Sequence, residues 1–196
     1  MAKLLSLVMV ALGISLAGCS PEVPSVIGLK QGEAKERLEK AGFKLNTSYQ
    51  EKIGAPVGDV LGQAPKASER AGKGSVVSVD VAKGATIKGT FELIDTGISR
   101  DSPGECRGTG GFSDVNQNMQ VVVLDGNRNT IATGNLEPDN YSGEYSNVKC
   151  VFPFKIENVP IADFYEIEVG RRGSLKYSLE DMRSNKWTLM FSLGGS

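Results

Sequence analysis

Cysteine and histidine content limits the site chemistry that this chain can carry. The 196-residue sequence has three cysteines, Cys19, Cys106 and Cys150, and no histidine. Histidine is the commonest general base and a usual ligand of catalytic zinc, so its absence excludes most familiar hydrolase mechanisms for this chain. Cys106 and Cys150 alone would leave a metal site incomplete. The sequence therefore predicts no metal, no cofactor and no enzymatic activity.

Ser146 and Lys149 have the S-x-x-K spacing of the acyl-enzymes that react with β-lactams. In those enzymes the motif works together with S-D-N and K-T-G motifs, and neither occurs in this sequence. The surrounding residues also alternate like turns and strands and do not open a helix. A Ser/Lys acyl-enzyme is therefore kept only as a remote alternative.

Asp114, Asn116 and Asn118 alternate like the first ligands of a calcium loop, with Asp125 at the twelfth position. Met119 stands where such a loop requires glycine, and the residues after it have a strand pattern. The sequence therefore favours a polar loop that enters a strand over a cation site.

The charge balance excludes one class of partner. The chain has 22 basic and 23 acidic residues and a net charge of −1. No sustained positive field is available to neutralise a phosphate backbone, so nucleic acid is not expected to bind.

The N-terminal residues have the pattern of an exported precursor. Lys3 supplies positive charge, and the apolar run 4–16 is shorter than the ~20 residues that a spanning helix needs. The run ends in Leu16-Ala17-Gly18-Cys19, which resembles the lipobox of bacterial lipoprotein precursors. The resemblance implies a signal peptide over 1–18 and a lipidated Cys19 that begins a short tether, 19–22. A plain signal peptide with a chance Leu-Ala-Gly-Cys is the alternative.

Lipidation of Cys19 would leave Cys106 and Cys150 as a pair in an oxidising compartment. We therefore predict a Cys106–Cys150 disulfide, which in the loop-closure model removes roughly 4 kcal/mol of unfolded-chain entropy. Two free, buried thiols are the alternative.

Residues 23–84 have the pattern of a small α+β domain. Ala34, Leu38 and Ala41 follow helical spacing and form one apolar stripe between charged positions, and Gly42 is expected to end the helix. Strands are expected at Val23–Leu29, Val57–Leu61 and Val76–Val81.

The same region resembles the PASTA domain, a module of the extracellular parts of bacterial Ser/Thr kinases and some penicillin-binding proteins. Lys30 and Gly32 depart from the family pattern, because Lys30 replaces a Ser or Thr that could cap the helix. The landmarks of the resemblance occur in the family order: Val23-Pro24, Gly28-Leu29, Ala34, Leu38, Ala41-Gly42-Phe43, Val60–Pro65, Lys73–Val79 and Gly84.

The PASTA resemblance implies noncatalytic recognition of peptidoglycan fragments, or muropeptides, or of their lipid-linked precursor. Lys66, Arg70 and Lys73 are then candidates to bind stem-peptide carboxylates, because all three lie on the loop between Pro65 and the last strand. A solvated basic loop without a ligand is the alternative for these residues.

Residues 85–196 are expected to form an all-β, sandwich-like domain. Asp125–Arg128 has the composition of a hairpin turn. Part of the region resembles prealbumin-like (transthyretin-like) β-sandwiches, in which a hairpin precedes a Pro-containing turn and an aromatic-led strand. Strands are predicted at Thr90–Ile94, Met119–Leu124, Asn129–Thr133, Val151–Ile156, Phe164–Val169, Leu175–Ser178 and Trp187–Leu193.

Only Ser20, Pro21 and Glu22 would separate Cys19 from the first domain, a span of little more than ~10 Å. The leading hypothesis is therefore a lipid-anchored protein of the cell envelope, outside the cytoplasm, that binds peptidoglycan material near the membrane. The alternative is an envelope scaffold that binds another envelope protein and no glycan.

Overall fold

The computed structural model describes residues 20–94, 97–100, 105–139 and 149–194. Its N-terminal part consists of one helix and one three-stranded sheet. The strand order is β1-β3-β2, with β1 parallel and β2 antiparallel to the central β3. The elements are α1 (Gln31–Lys40), β1 (Lys44–Gln50), β2 (Val60–Ala64) and β3 (Val76–Ala82).

The apolar stripe predicted for the helix packs against the sheet. Ala34 and Leu38 are buried, and the C-terminal Ala41 packs on the same cluster. Gly42 follows with φ +86°, a left-handed conformation that glycine adopts without strain. Lys30 occupies the N-cap position and makes no side-chain hydrogen bond to the helix, so the start of α1 has no side-chain cap.

The predicted strand at Val23–Leu29 is wrong, because residues 23–26 have no strand pairing and residues 27–29 form a turn in which Gly28 has φ +82°. Pro24 cannot donate a ladder hydrogen bond. The side-chain amide of Gln63 forms two hydrogen bonds with the backbone of this segment. It accepts from the Val26 N–H at 2.8 Å and donates to the Pro24 carbonyl at 3.1 Å. Gln63 is therefore a structural residue that positions the chain before α1.

The described residues between 85 and 194 form two larger sheets and one short pair of strands. A four-stranded antiparallel sheet has the order β11-β10-β7-β8, a three-stranded sheet has the order β12-β4-β9, and β5 pairs with β6. The strands are β4 (Ala85–Ile94), β5 (Ile98–Arg100), β6 (Cys106–Gly108), β7 (Gln120–Asp125), β8 (Thr130–Asn135), β9 (Lys149–Val159), β10 (Phe164–Val169), β11 (Ser174–Ser178) and β12 (Thr188–Gly194).

One hydrophobic cluster joins the two larger sheets, with inward side chains such as Val123 and Ile167 from one sheet and Phe91 and Phe152 from the other. The seven strands predicted for this region are present, so its β-rich content is confirmed. The sandwich is confirmed only in outline. Strand β12 pairs parallel with β4, and a short helix, α2 (Leu179–Ser184), connects β11 to β12.

Among the described residues, the two sheets meet on one side and are open on the other. Strands β8 and β9 come together where Leu136 forms a β-bridge with Phe154. On the opposite side, β11 and β12 are both edge strands.

The predicted Cys106–Cys150 disulfide is present, with the two Cα atoms 5.7 Å apart. It links β6 to the first residues of β9, and both cysteines are buried in the cluster between the sheets. The Arg100 guanidinium lies against this bridge, with Nη2 3.3 Å from the Cys106 Sγ.

Candidate functional site

Four basic residues belong to one end of the N-terminal sheet, where β1 and β3 begin and β2 ends. Lys44 opens β1 and lies in register with Val76, the first residue of β3. Lys66 comes two residues after β2 ends, and Lys73 comes three residues before β3 begins. Arg70 lies on the loop between them. We call Lys44, Lys66, Arg70 and Lys73 the basic end.

Backbone hydrogen bonds fix the turn that carries Lys73. The Gly74 N–H donates to the Gly42 carbonyl at 2.7 Å, and the Lys44 N–H donates to the Ser75 carbonyl at 2.9 Å. The Lys73 Cγ lies 3.4 Å from the position that a Cβ on Gly42 would occupy. The end of α1 therefore supports the stem of Lys73 while the ammonium group stays exposed.

Two acidic residues partly compensate the basic end. Glu22 pairs with Arg70 at 3.6 Å, and both side chains are exposed. The Glu69 carboxylate accepts a hydrogen bond from the Lys66 backbone N–H at 3.0 Å. Four basic groups against these two acidic groups leave an excess of two positive charges. Within the described ranges, the structure shows no ion pair for Lys44, Lys66 or Lys73.

A polar face of the sheet, which no other described part of the chain covers, adjoins the basic end. Helix α1 covers the opposite face, whereas Asn46, Ser48 and Ser78 point away from it and are exposed. The Asn46 amide donates to the Ser78 hydroxyl at 3.4 Å, and Ser48 donates to Asp80. The sequence analysis did not identify this face, although the burial of Val77, Val79 and Val81 implies that the intervening residues point outward.

This arrangement can bind an anionic, hydroxyl-rich ligand. Each exposed ion pair contributes only ~0–1 kcal/mol, so several lysines and the neighbouring hydroxyl and amide groups would have to act together. Lysine supplies a mobile point charge that can follow a carboxylate or a phosphate. Sequence reasoning proposed Lys66, Arg70 and Lys73 as candidates, whereas the topology of the sheet adds Lys44 and Glu22 to them.

Two of the candidate calcium ligands, Asp114 and Asp125, have other roles in the structure. Asp114 pairs with Arg172, whose hydrogen bond lowers the pKa of the Asp114 carboxyl below its ordinary value. The Asp125 carboxylate closes a turn by accepting from the backbone N–H groups of Asn127 at 2.9 Å and Asn129 at 2.8 Å. In the parts of the chain that are described, no three acidic or cysteine side chains are placed to hold a metal ion.

Two predicted site residues, Cys19 and Ser146, lie outside the described residues. Lys149, the lysine of the S-x-x-K spacing, forms an ion pair with Glu92 at 2.7 Å. Among the residues described, neither α1 nor α2 has the length and apolar character that a bilayer crossing demands.

Comparison with known proteins places the basic end and the polar face in one module. The PASTA domain model matches residues 21–83, so this part of the chain is a PASTA domain. No curated protein matches the chain. One solved structure, the entire extracellular region of the Ser/Thr kinase PrkC from Staphylococcus aureus, has 16% identity and a TM-score of 0.31 to this chain. The match covers 82% of this chain and 52% of that one, so this chain spans about half of the kinase region's length.

Proposed function

We propose that the chain is a lipid-anchored, noncatalytic binding protein of the bacterial cell envelope, and that its PASTA domain recognises peptidoglycan fragments or precursor near the membrane. The observation that carries the proposal is the match of residues 21–83 to the PASTA domain, with an exposed basic end and an open polar face on one module. The proposed organisation is a signal peptide over 1–18, a lipidated tether over 19–22, the PASTA domain over 23–84 and a β-sandwich domain over 85–196.

The chemistry of the two surfaces matches a peptidoglycan ligand. Stem peptides carry carboxylates, which suit the ammonium groups of Lys44, Lys66 and Lys73. Glycan hydroxyl groups suit the donors and acceptors on the polar face, such as Asn46 and Ser78. A ligand that spans both surfaces would use many weak contacts at once.

The path of the N-terminal chain supports recognition at the membrane. The Ala71 N–H donates to the Pro21 carbonyl at 3.1 Å, and Glu22 forms a β-bridge with Arg70. The chain is therefore fixed to the basic end from Pro21 onward, and only Ser20 would separate that residue from a lipidated Cys19. Two residue steps span ~7 Å. A lipid on Cys19 would therefore hold the basic end against the bilayer, which favours membrane-linked precursor over distant mature wall.

Titration of the lipid-free chain with muropeptides tests the ligand. We expect saturable binding that weakens at least fivefold in the double variant Lys66→Ala/Lys73→Ala. The matched control is Lys35→Ala/Lys88→Ala, which removes two exposed lysines elsewhere and should bind like the wild type. Absence of binding, or equal losses in both double variants, would contradict the proposed site. A specific crosslinked envelope protein without muropeptide binding would instead support a scaffold.

Intact-mass measurement of the protein purified from its native membrane tests the anchor. The expected mass is that of the chain from Cys19 onward with a diacylglyceryl group, and often a third acyl chain. A long Gly/Ser insertion after Pro21 should then reduce capture of the membrane-linked precursor without reducing affinity for soluble muropeptides. An unacylated, secreted product would contradict the anchor.

A further inference from the structure

The polar face of the N-terminal sheet carries opposite charges at two separated positions. Lys44 opens β1 at the basic end, and Asp80 on β3 lies in register with Ser48, four residues farther along β1. At about 3.3 Å per residue, these two positions are about 13 Å apart along the strands. The face is therefore dipolar, with its positive charge at the basic end and its negative charge at Asp80.

The Asp80 carboxylate is held in a fixed position and stays accessible. Its Oδ1 accepts a hydrogen bond from the Ser48 hydroxyl, and its Oδ2 lies 3.4 Å from the position that a Cβ on Gly62 would occupy. Asp80 is half-buried. Among the described residues, no lysine or arginine forms an ion pair with this carboxylate. A cationic group of a ligand can therefore bind there without displacing a partner.

The surface beside these two charges is flat. Gly62 and Ala64 of β2 pair with Asp80 and Ser78 of β3, so small residues occupy this part of the face. The exposed Asn46 and Ser78 add amide and hydroxyl groups that can donate and accept hydrogen bonds. A peptide chain can therefore lie close to the sheet between the two charged positions.

We propose that Asp80 binds the free side-chain amine of a diamino acid in the stem peptide, while a carboxylate of the same peptide binds at the basic end. The inference rests on the proposed function and specifies which chemical form of the stem peptide the PASTA domain recognises. Two extended residues span about 7 Å, so a C-terminal carboxylate two residues after the diamino acid reaches toward the basic end. The flexible stem of Lys44 covers the remaining distance. An amine that is acylated, as in a cross-link to another stem, has no charge and binds more weakly.

The test titrates the whole lipid-free chain with two muropeptides whose stem ends in Lys-D-Ala-D-Ala. They differ only at the lysine ε-amine, which is free in one and acetylated, and so uncharged, in the other. The wild type should bind the free amine about fivefold more tightly. Asp80→Asn keeps an oxygen that can accept from Ser48 and should bind both muropeptides equally, at the level of the acetylated form. The control Glu33→Gln, which changes an exposed carboxylate on α1, should keep the wild-type preference.

The outcomes separate this inference from the proposed function. Equal binding of the two muropeptides by the wild type would overturn the inference and leave the proposed function in place. A preference for the free amine that Asp80→Asn retains would also overturn it, because another group would then bind the amine. Absence of binding by both muropeptides would contradict the proposed function itself. The double variant Lys66→Ala/Lys73→Ala should lose the same factor in affinity for both muropeptides, because its lysines act on the carboxylate and not on the amine.

Discussion

At the residue scale, Gly89 has the least room for a side chain in the contact between β4 and its neighbours. A Cβ at this position would lie 2.8 Å from the Phe154 ring and would collide with the Leu189 carbonyl oxygen. Gly89→Ala should therefore lower the free energy of unfolding by about 1–3 kcal/mol through overpacking. Denaturant unfolding measures the change.

Gly32 provides the matched control for Gly89. It lies in the first turn of α1, and no atom lies within 4 Å of a Cβ built there. Gly32→Ala should raise the free energy of unfolding by about 0.5–1 kcal/mol, because alanine loses less backbone entropy in a helix. Similar effects of the two substitutions would contradict the described packing.

Glu166 couples stability to pH. Its nearly buried carboxylate accepts hydrogen bonds from the Ser174 hydroxyl at 2.6 Å and from the Arg128 guanidinium at 3.0 and 3.1 Å. The Ser174 hydrogen bond, followed by the charge of Arg128, holds the pKa of Glu166 below its ordinary value. A lowered pKa stabilises the fold above the ordinary glutamate pKa of about 4.3, and this contribution is lost as the pH falls through the folded-state pKa.

We therefore expect Glu166→Gln to be less stable than the wild type at pH 7 and to approach it as the medium becomes acidic. Thermal unfolding midpoints between pH 7 and roughly pH 2.5 measure this convergence. Glu39→Gln, which changes an exposed residue of α1, is the control and should leave the pH profile unchanged. A constant gap between Glu166→Gln and the wild type would rule out the proposed linkage.

At the element scale, α2 depends on its N-terminal cap. The Ser178 hydroxyl accepts from the Asp181 N–H at 3.1 Å, and the Asp181 carboxylate accepts from the Ser178 N–H at 2.8 Å. This reciprocal pair is a capping box on a helix of only six residues. Ser178→Ala should cost about 1 kcal/mol in the free energy of unfolding, whereas Ser184→Ala at the exposed last residue should be nearly neutral. Equal effects would show that the cap does not stabilise the helix.

Strands with regular alternation were predictable because one face of each is buried. Val77, Val79 and Val81 in β3, and Phe152, Phe154 and Ile156 in β9, follow this rule. Strand β1 was missed because its residues are largely polar and much of it is exposed at the sheet edge. The strand expected at Val57–Leu61 begins only at Val60. The parallel pairing of β12 with β4 joins residues one hundred positions apart, and no local sequence pattern indicates such a partner.

The candidate site was predictable in part for a similar reason. Lys66, Arg70 and Lys73 are close in sequence, so one loop indicates all three. Lys44 and Glu22 lie far from that loop in the chain and reach it through β-bridge and strand pairing. Gln63, which appears in the sequence as part of a family landmark, has a structural role that only its hydrogen bonds reveal.

At the scale of the whole molecule, the disulfide is expected to contribute strongly to stability. The Cys106–Cys150 bridge closes a loop with a sequence separation of 44 residues. Replacing both cysteines by serine should lower the free energy of unfolding by roughly 4 kcal/mol in the loop-closure model. Denaturant unfolding of the double variant, and of the wild type with and without a reductant, measures this effect. A reductant effect on the wild type that is absent in the double variant would confirm that the bridge is its source.

The passage from β3 to β4 has a consequence for proteolysis. Lys83 and Gly84 alone separate the two strands, and the Lys83 N–H donates to the Gln50 carbonyl at 2.8 Å. A Cβ on Gly84 would lie 2.9 Å from the Asn158 backbone, so the next residue is closely packed as well. Proteases need a stretch of chain that can leave the surface, and none is available at this point. Trypsin should therefore spare the bond after Lys83 in the native protein, and limited digestion should not release the PASTA domain as a fragment.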